Sequence, residues 1–193
     1  MRVAIIGQKG IPATYGGIER HVDEIARRLV PRGVQVDVFC RLYYTAAGTS
    51  YHDVGLLRRP SVHTKHLDTA THVAWCTIES MLRRYDVVHF HALGPSLFAS
   101  LPRMTGSRTV VTVHGLDWQR EKWGKAASWV LRHCEGPAAH FPNRTIVVSK
   151  TLRDSVLFVS EDPVRAMEIA LGIVEGIGRD GRLPDVRIGL ATG

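Results

Sequence analysis

Short hydrophobic runs alternate along the chain with segments in which apolar residues recur every three or four positions. Short runs bounded by turn residues predict buried strands, and the longer period predicts amphipathic helices. The pattern predicts strands at residues 3–7, 34–40, 61–66, 86–91, 108–114 and 144–149, and helices at 17–32, 69–84, 95–104 and 121–135, with a loop at 42–59. This alternation indicates an α/β fold built on a Rossmann-like, doubly wound, mainly parallel sheet with helices on both faces.

The stretch GQKGIPATYGGIERH begins at Gly7, where the first predicted strand ends. Its glycine spacing does not fit the dinucleotide motif G-x-G-x-x-G, and no Gly-Lys-Ser/Thr follows as in a P-loop. Gly16 and Gly17 directly precede the first predicted helix. They are explained either by a tight turn that needs a positive φ or by the approach of a diphosphate to helix N–H groups.

Histidines stand at the ends of two later strands, in VHFHA and VTVHG. Ligand crevices of parallel sheets lie outside the carboxyl ends of the strands, so His89, His91 and His114 are candidates for the site. Alternation puts His89 and His91 on the same side of their strand, where His89 is expected to pack or cap. No other metal ligands accompany these histidines at a typical spacing, so the sequence predicts no metal site.

The chain of 193 residues carries a formal net charge of +7 and has a pI near 9.7. Positive charge suits an anionic ligand, an anionic membrane surface or nucleic acid, and it is equally explained by a solvated basic surface. No nucleic-acid-binding motif appears, so we expect no nucleic-acid partner. No apolar run reaches the length of a membrane span, the N-terminus leads directly into a strand, and the three cysteines are widely spaced. These features predict a cytoplasmic protein with reduced thiols and leave room for peripheral contact with the inner face of the membrane.

Four stretches together resemble the N-terminal half of a family-4 glycosyltransferase with the GT-B fold. They are MRVAIIGQKGIPATYGGIERHVDEIARRL, DVVHFHALGPS, TVVTVHGLDWQREKWGKAASWVLR and RTIVVSKTLRD. In that family two Rossmann-like domains face each other across a cleft. The N-terminal domain binds the acceptor, and the C-terminal domain binds the nucleotide-sugar donor.

The resemblance implies roles for particular residues. Gly16 and Gly17 would approach the donor diphosphate, and His114 would be the catalytic residue that reaches the transferred sugar or the acceptor hydroxyl. The acceptor pocket would be shaped by Glu19, His91, Asp117, Trp118, Arg120 and Lys122. Trp118 is equally explained by packing of its own loop. The implied reaction retains the anomeric configuration, needs no metal or other cofactor, and depends on electrostatic stabilisation of the leaving diphosphate.

The residues after Asp154 differ in character from those before. Residues 1–155 contain 21 Lys or Arg and 12 Asp or Glu, whereas residues 156–193 contain 4 and 6. The tail reads as strand, helix and strand, and it resembles a fragment of a class III adenylate or guanylate cyclase from about Lys150 onward. We therefore predict a glycosyltransferase domain at 1–154 and a cyclase-like fragment at 155–193. A divergent closing helix of the first domain is the alternative for this tail.

The donor half of a family-4 enzyme carries a glutamate pair with the spacing E-x7-E. Glu161, Glu168 and Glu175 are seven residues apart, which is one residue too few. We therefore expect the chain to be the acceptor-binding half of a glycosyltransferase and inactive without a donor domain. Its partners would be a nucleotide-sugar and a sugar, polyol or lipid-linked acceptor. The alternatives are a non-catalytic module that binds a glycan or an anionic surface, and a nucleotide-binding fragment in the tail.

Overall fold

The computed structural model describes residues 1–64, 67–115 and 125–148, in which seven strands form one sheet. The strands are β1 (Arg2–Ile6), β2 (Gln35–Arg41), β3 (Ser50–Tyr51), β4 (Val54–Arg59), β5 (Val87–His91), β6 (Arg108–Val113) and β7 (Arg144–Val147). Their order is β3-β4-β2-β1-β5-β6-β7, and every neighbouring pair is parallel except β3 with β4. The predicted α/β fold with a mainly parallel sheet is confirmed.

Helices cover both faces of the sheet. The described helices are α1 (Gly17–Leu29), α2 (Leu67–Arg83), α3 (Lys125–His133) and α4 (Glu135–His140). The alternation of β1 explains the two layers, because successive side chains of a strand point to opposite faces. Val3 and Ile5 pack in one core with residues of α1, whereas Ala4 and Ile6 pack in a second core with residues of α2.

The structure differs from the predicted loop at 42–59 and from the predicted helix at 95–104. The predicted loop at 42–59 contains β3 and β4, and the glycine within β4 is explained by close packing. A Cβ on Gly55 would collide with the Asp37 carboxylate on the neighbouring strand, so a larger residue would have to displace that carboxylate. The predicted helix at 95–104 is two short 3₁₀ helices, Gly94–Phe98 and Pro102–Thr105. Pro102 has no N–H for a helical hydrogen bond, which explains the interruption.

The strand predicted at 61–66 is not found over residues 61–64, and residues 65 and 66 lie outside the described residues. The sequence there, Ser61-Val62-His63-Thr64, instead leads into α2, and the Thr64 hydroxyl accepts a hydrogen bond from the Leu67 N–H. Such short polar side chains compete with strand pairing by bonding nearby backbone groups. The other strands and helices predicted before residue 150 are found, with ends that shift by a few residues. The predicted strand, helix and strand of the tail lie outside the described residues.

The chain changes direction across the sheet between β1 and β5. From β1 it builds β2, β3 and β4 on one side, and then it crosses to build β5, β6 and β7 on the other. The carboxyl ends of β1 and β5 therefore lie side by side at a topological switch point, where open α/β sheets bind their ligands. Gly7 follows β1 with a φ of 115°, and a Cβ there would collide with the carbonyl oxygen of His91. The glycine loop thus starts directly against the end of β5.

Candidate active site

Gly16 and Gly17 stand side by side before α1, but the backbone requires glycine only at the first. Gly16 is the N-cap of α1 with a φ of 99°, and a Cβ there would collide with the Glu19 carboxylate. Gly17 has no positive φ, and a Cβ there would have no other atom within 4 Å. The tight turn therefore explains Gly16 alone, and Gly17 faces open space at the start of the helix.

The N-terminus of α1 offers N–H groups to this open space. The first hydrogen bond within the helix runs from the Arg20 N–H to the Gly16 carbonyl, at 3.2 Å. The N–H groups of Gly17, Ile18 and Glu19 precede that bond and have no partner within the helix. Together with the helix dipole, N–H groups in this position favour an anion.

Glu19 ties the glycine loop to the helix. Its side chain is buried, and its Oε1 accepts a hydrogen bond from the Lys9 N–H at 3.1 Å. The same carboxylate lies against Gly16. Glu19 therefore holds both ends of the loop segment between β1 and α1, which shapes the space in front of Gly17.

Three histidines from three different elements meet beside this loop. His91 ends β5 and is fully buried, His114 follows β6, and His21 lies on α1 one turn after Gly17. His91 Nδ1 is 2.9 Å from His114 Nε2, a hydrogen bond that fixes the orientation of the His114 ring. The His21 ring lies edge-on to the His114 ring, with centroids 4.8 Å apart. One ring nitrogen from each of the three lies within 4.8 Å of the others.

His89 lies behind this group. Its ring centroid is 4.2 Å from that of His91, so the two side chains do share one side of β5 as predicted. His89 is buried, and its Nε2 is 2.7 Å from the Thr112 hydroxyl on the neighbouring β6. This packing position supports the interpretation of His89 as a structural residue.

Burial lowers the pKa of His21, His89 and His91, which keeps these three imidazoles neutral at pH 7. It lowers the pKa of His21 to about 4, and burial together with the nearby His21 lowers the pKa of His89 to about 3. Burial also holds the pKa of His91 well below its usual range, and the neighbouring His89, His114 and His21 act in the same direction. A neutral imidazole both donates and accepts a hydrogen bond, which suits contact with a sugar hydroxyl.

His21 was not predicted from the sequence. The histidines predicted for the site lie at strand ends, whereas His21 reaches the site from the helix that follows β1. The signal available in the sequence was its place four residues after Gly17, on the first helix to leave the switch point. The prediction that no metal-binding cluster exists was based on spacing along the chain, and it did not include this residue.

The structure brings Gly16, Gly17, Glu19, His91 and His114 to the same edge of the sheet. Among them, His91 is fully buried behind His114, so its influence on a ligand runs through the His114 ring. Four other predicted site residues lie outside the described residues: Asp117, Trp118, Arg120 and Lys122. The predicted tail fragment at 155–193 and its boundary also lie outside, so both stay predictions.

Comparison with known proteins agrees with this geometry. The family model of Glycosyltransferase Family 4 matches residues 15–167. Sucrose-phosphate synthase from Thermosynechococcus elongatus is 17% identical with a TM-score of 0.62; the match covers 82% of this chain and 46% of that one. The Anabaena protein Alr3699/HepE, solved in complex with UDP and glucose, is 17% identical with a TM-score of 0.52, and the match covers 83% of this chain and 42% of that one.

These comparisons also bear on the extent of the chain. The chain spans less than half the length of either glycosyltransferase structure. It therefore corresponds to one half of their GT-B fold. A stretch of 44 residues is 46% identical to an adenylate cyclase from Streptomyces griseus, covering 23% of this chain and 11% of the cyclase. The resemblance to both families is confirmed. Because the family model covers most of the chain, including the glycine pair and all three clustered histidines, the chain belongs to glycosyltransferase family 4.

Proposed function

We propose that this chain is the acceptor-binding half of an enzyme that transfers a sugar from a nucleotide-diphosphate-sugar to a hydroxyl, with retention of anomeric configuration. The proposal rests on the position of two structural elements. The open N-terminus of α1 at Gly17 and the hydrogen-bonded pair of His91 and His114 lie at the same switch point of the sheet. The first element suits a diphosphate, and the second suits a sugar hydroxyl.

Each group has a distinct task in this mechanism. The N–H groups that begin α1 stabilise negative charge on the diphosphate as the bond to the sugar breaks. His114 holds the transferred sugar or the acceptor hydroxyl by a hydrogen bond. His91 keeps the His114 ring in one orientation, so little reorganisation is needed during the reaction. The transfer itself needs no metal, because N–H groups and cationic side chains counter the diphosphate charge.

We propose that the donor is a uridine diphosphate sugar. A structural neighbour was solved in complex with UDP and glucose, which makes UDP-glucose the first compound to test. The glutamate pair that family-4 enzymes use on the donor side has no counterpart at the right spacing among Glu161, Glu168 and Glu175. We therefore propose that the chain alone does not turn over and that it needs a donor domain.

The test is complementation with the donor half of an active family member, supplied in trans or by fusion. UDP release from UDP-glucose is measured with a panel of sugar and polyol acceptors, for the chain alone and for the complemented protein. His114→Asn is compared with His133→Asn, a change on the exposed side of α3. We expect activity only after complementation, a loss of about 100-fold or more for His114→Asn, and no loss for His133→Asn.

Two results would contradict the proposal. Robust turnover by the chain alone would refute its dependence on a donor domain. Full activity of the complemented His114→Asn variant would refute the role of His114, provided that its circular dichroism and melting temperature match those of the parent protein.

A second candidate function, contact with an anionic membrane surface, rests on one face of α2. Trp75, Ile78 and Leu82 lie on one stripe of this helix and are 58%, 57% and 79% exposed. Met104, on the 3₁₀ helix packed against α2, is 80% exposed, and the exposed cation of Arg84 follows α2 directly. Apolar side chains beside cations suit the interface of anionic lipids. No helix in the described ranges is long and apolar enough to cross a bilayer.

Vesicle flotation tests this second candidate. We expect binding to vesicles that contain phosphatidylglycerol, weaker binding at high salt, and loss of binding in Leu82→Glu. Val130→Glu, a matched change at another exposed apolar position, should still bind. Equal binding to purely zwitterionic vesicles, or none to either kind, would rule the candidate out.

A further inference from the structure

We infer that His21, His91 and His114 form a binding site for a transition-metal ion such as Zn²⁺, and that an occupied site takes His114 out of sugar transfer. One ring nitrogen from each residue lies within 4.8 Å of the other two. The three residues come from α1, the end of β5 and the segment after β6, elements held together by the sheet. The cluster is therefore organised by the fold before any ion binds.

The donor set suits zinc and related metals. Imidazole nitrogens are preferred ligands of Zn²⁺, Cu²⁺ and Ni²⁺, and three histidines leave one coordination position for water or a ligand. Zn–N bonds of about 2.0–2.1 Å in a tetrahedron place the nitrogens about 3.3 Å apart. The observed spacing runs from 2.9 Å between His91 and His114 up to 4.8 Å. His21 and His114 are only partly buried, so their rings can rotate to close this difference.

The fully buried His91 supports a ligand role. Its Nδ1 faces His114, but its Nε2 has no hydrogen-bond partner among the described residues. A metal held through Nδ1 leaves Nε2 unchanged, so the ligand role of His91 rests on the nitrogen that faces His114. The shared proton between His91 and His114 can move to the other nitrogen of its own ring, which frees both facing lone pairs for a metal. This change of tautomer moves a proton within one ring, so it needs no net loss of a proton.

Metal binding and sugar transfer compete for the same atoms. A ring nitrogen that coordinates a metal has no lone pair left for a hydroxyl, so a bound ion withholds His114 from the acceptor. The ion would also stand at the switch point, one helical turn from Gly17. Inhibition by zinc rests on the proposed function, whereas zinc binding itself does not.

The binding test uses the full chain after treatment with EDTA. Titration with ZnCl₂ is followed by calorimetry, and titration with CoCl₂ by the visible absorption of nitrogen-ligated Co²⁺. We expect one ion per chain with micromolar affinity or better. His21→Gln removes one ligand and should weaken binding by about tenfold or more, equivalent to about 1.4 kcal/mol. His133→Gln removes an exposed histidine outside the cluster and should bind within twofold of the parent protein.

The result that overturns the inference is equal zinc affinity in His21→Gln and the parent chain, or no binding up to millimolar zinc. Melting temperatures in EDTA show whether each variant is folded. If His21→Gln fails to fold, His114→Gln takes its place with the same expected loss of affinity. In the complemented enzyme, zinc should inhibit the parent and spare His21→Gln. If the chain binds zinc but the complemented protein shows no transfer, the proposed function is refuted and the metal site is not.

Discussion

Replacing Gly17 by alanine is expected to stabilise the protein and to weaken donor binding at the same time. A Cβ at Gly17 meets no atom within 4 Å, and its backbone lies outside the positive-φ region. Alanine at a compatible position reduces the freedom of the unfolded chain and stabilises by about 0.4–1 kcal/mol. For a chain of this size, that change raises the melting temperature by about 1–4 °C.

The same methyl group fills the space in which a diphosphate would approach the N–H groups of α1. Loss of one charge-assisted hydrogen bond costs about 1.5–3 kcal/mol, so donor affinity should fall by about 10- to 100-fold. The assay is a UDP-glucose titration of the complemented enzyme, measured as kcat/KM and as Kd. Melting curves of the isolated chain supply the stability side of the comparison.

Gly16→Ala is the matched control. Gly16 has a φ of 99°, and a Cβ there would collide with the Glu19 carboxylate. Strained backbone of this kind costs about 1–3 kcal/mol, and the melting temperature should fall accordingly. If Gly17→Ala loses as much stability as Gly16→Ala, both glycines serve the turn. If it keeps full donor affinity, Gly17 does not contact the diphosphate.

Three further predictions concern the framework around the site. Phe39 is fully buried against the ring of Tyr85. In urea titrations, Phe39→Ala should therefore lower the free energy of unfolding by about 3–5 kcal/mol. The control Phe141→Ala, at a partly exposed position, should change it little. Burial lowers the pKa of His72 to about 4 from 6.5, so between these pH values the unfolded chain binds the extra proton and stability falls as the pH falls. His72→Leu should flatten this dependence of urea stability on pH; an unchanged slope would show that other groups cause it. The hydrogen bond from Arg59 lowers the pKa of Glu79, so the ionised Glu79 stabilises the folded state. The parent protein should therefore be more stable than Glu79→Gln at pH 7. This difference should vanish as the pH falls through the pKa that Glu79 has in the folded state.

Strands and helices could be predicted where the pattern of neighbouring residues decides them. β5 and β6 are short apolar runs, and α1 has an apolar residue every three or four positions, so period alone identifies them. β4 was not predicted, because Gly55 and the two arginines at its end are typical of a loop. Its glycine lies against the Asp37 side chain of β2, a contact between strands that the sequence order does not reveal.

The α/β class, the family resemblance and the residues at the strand ends could be predicted from the sequence, because strand and helix periods and motif spacing are properties of neighbouring residues. Only the tertiary structure distinguished Gly16, which the turn requires, from Gly17, which it does not. Only the tertiary structure brought His21 to His91 and His114, which lie some 70 and 93 positions further along the chain. These contacts depend on which strands are neighbours, and β1 pairs with β5 because the chain crosses the sheet at that point.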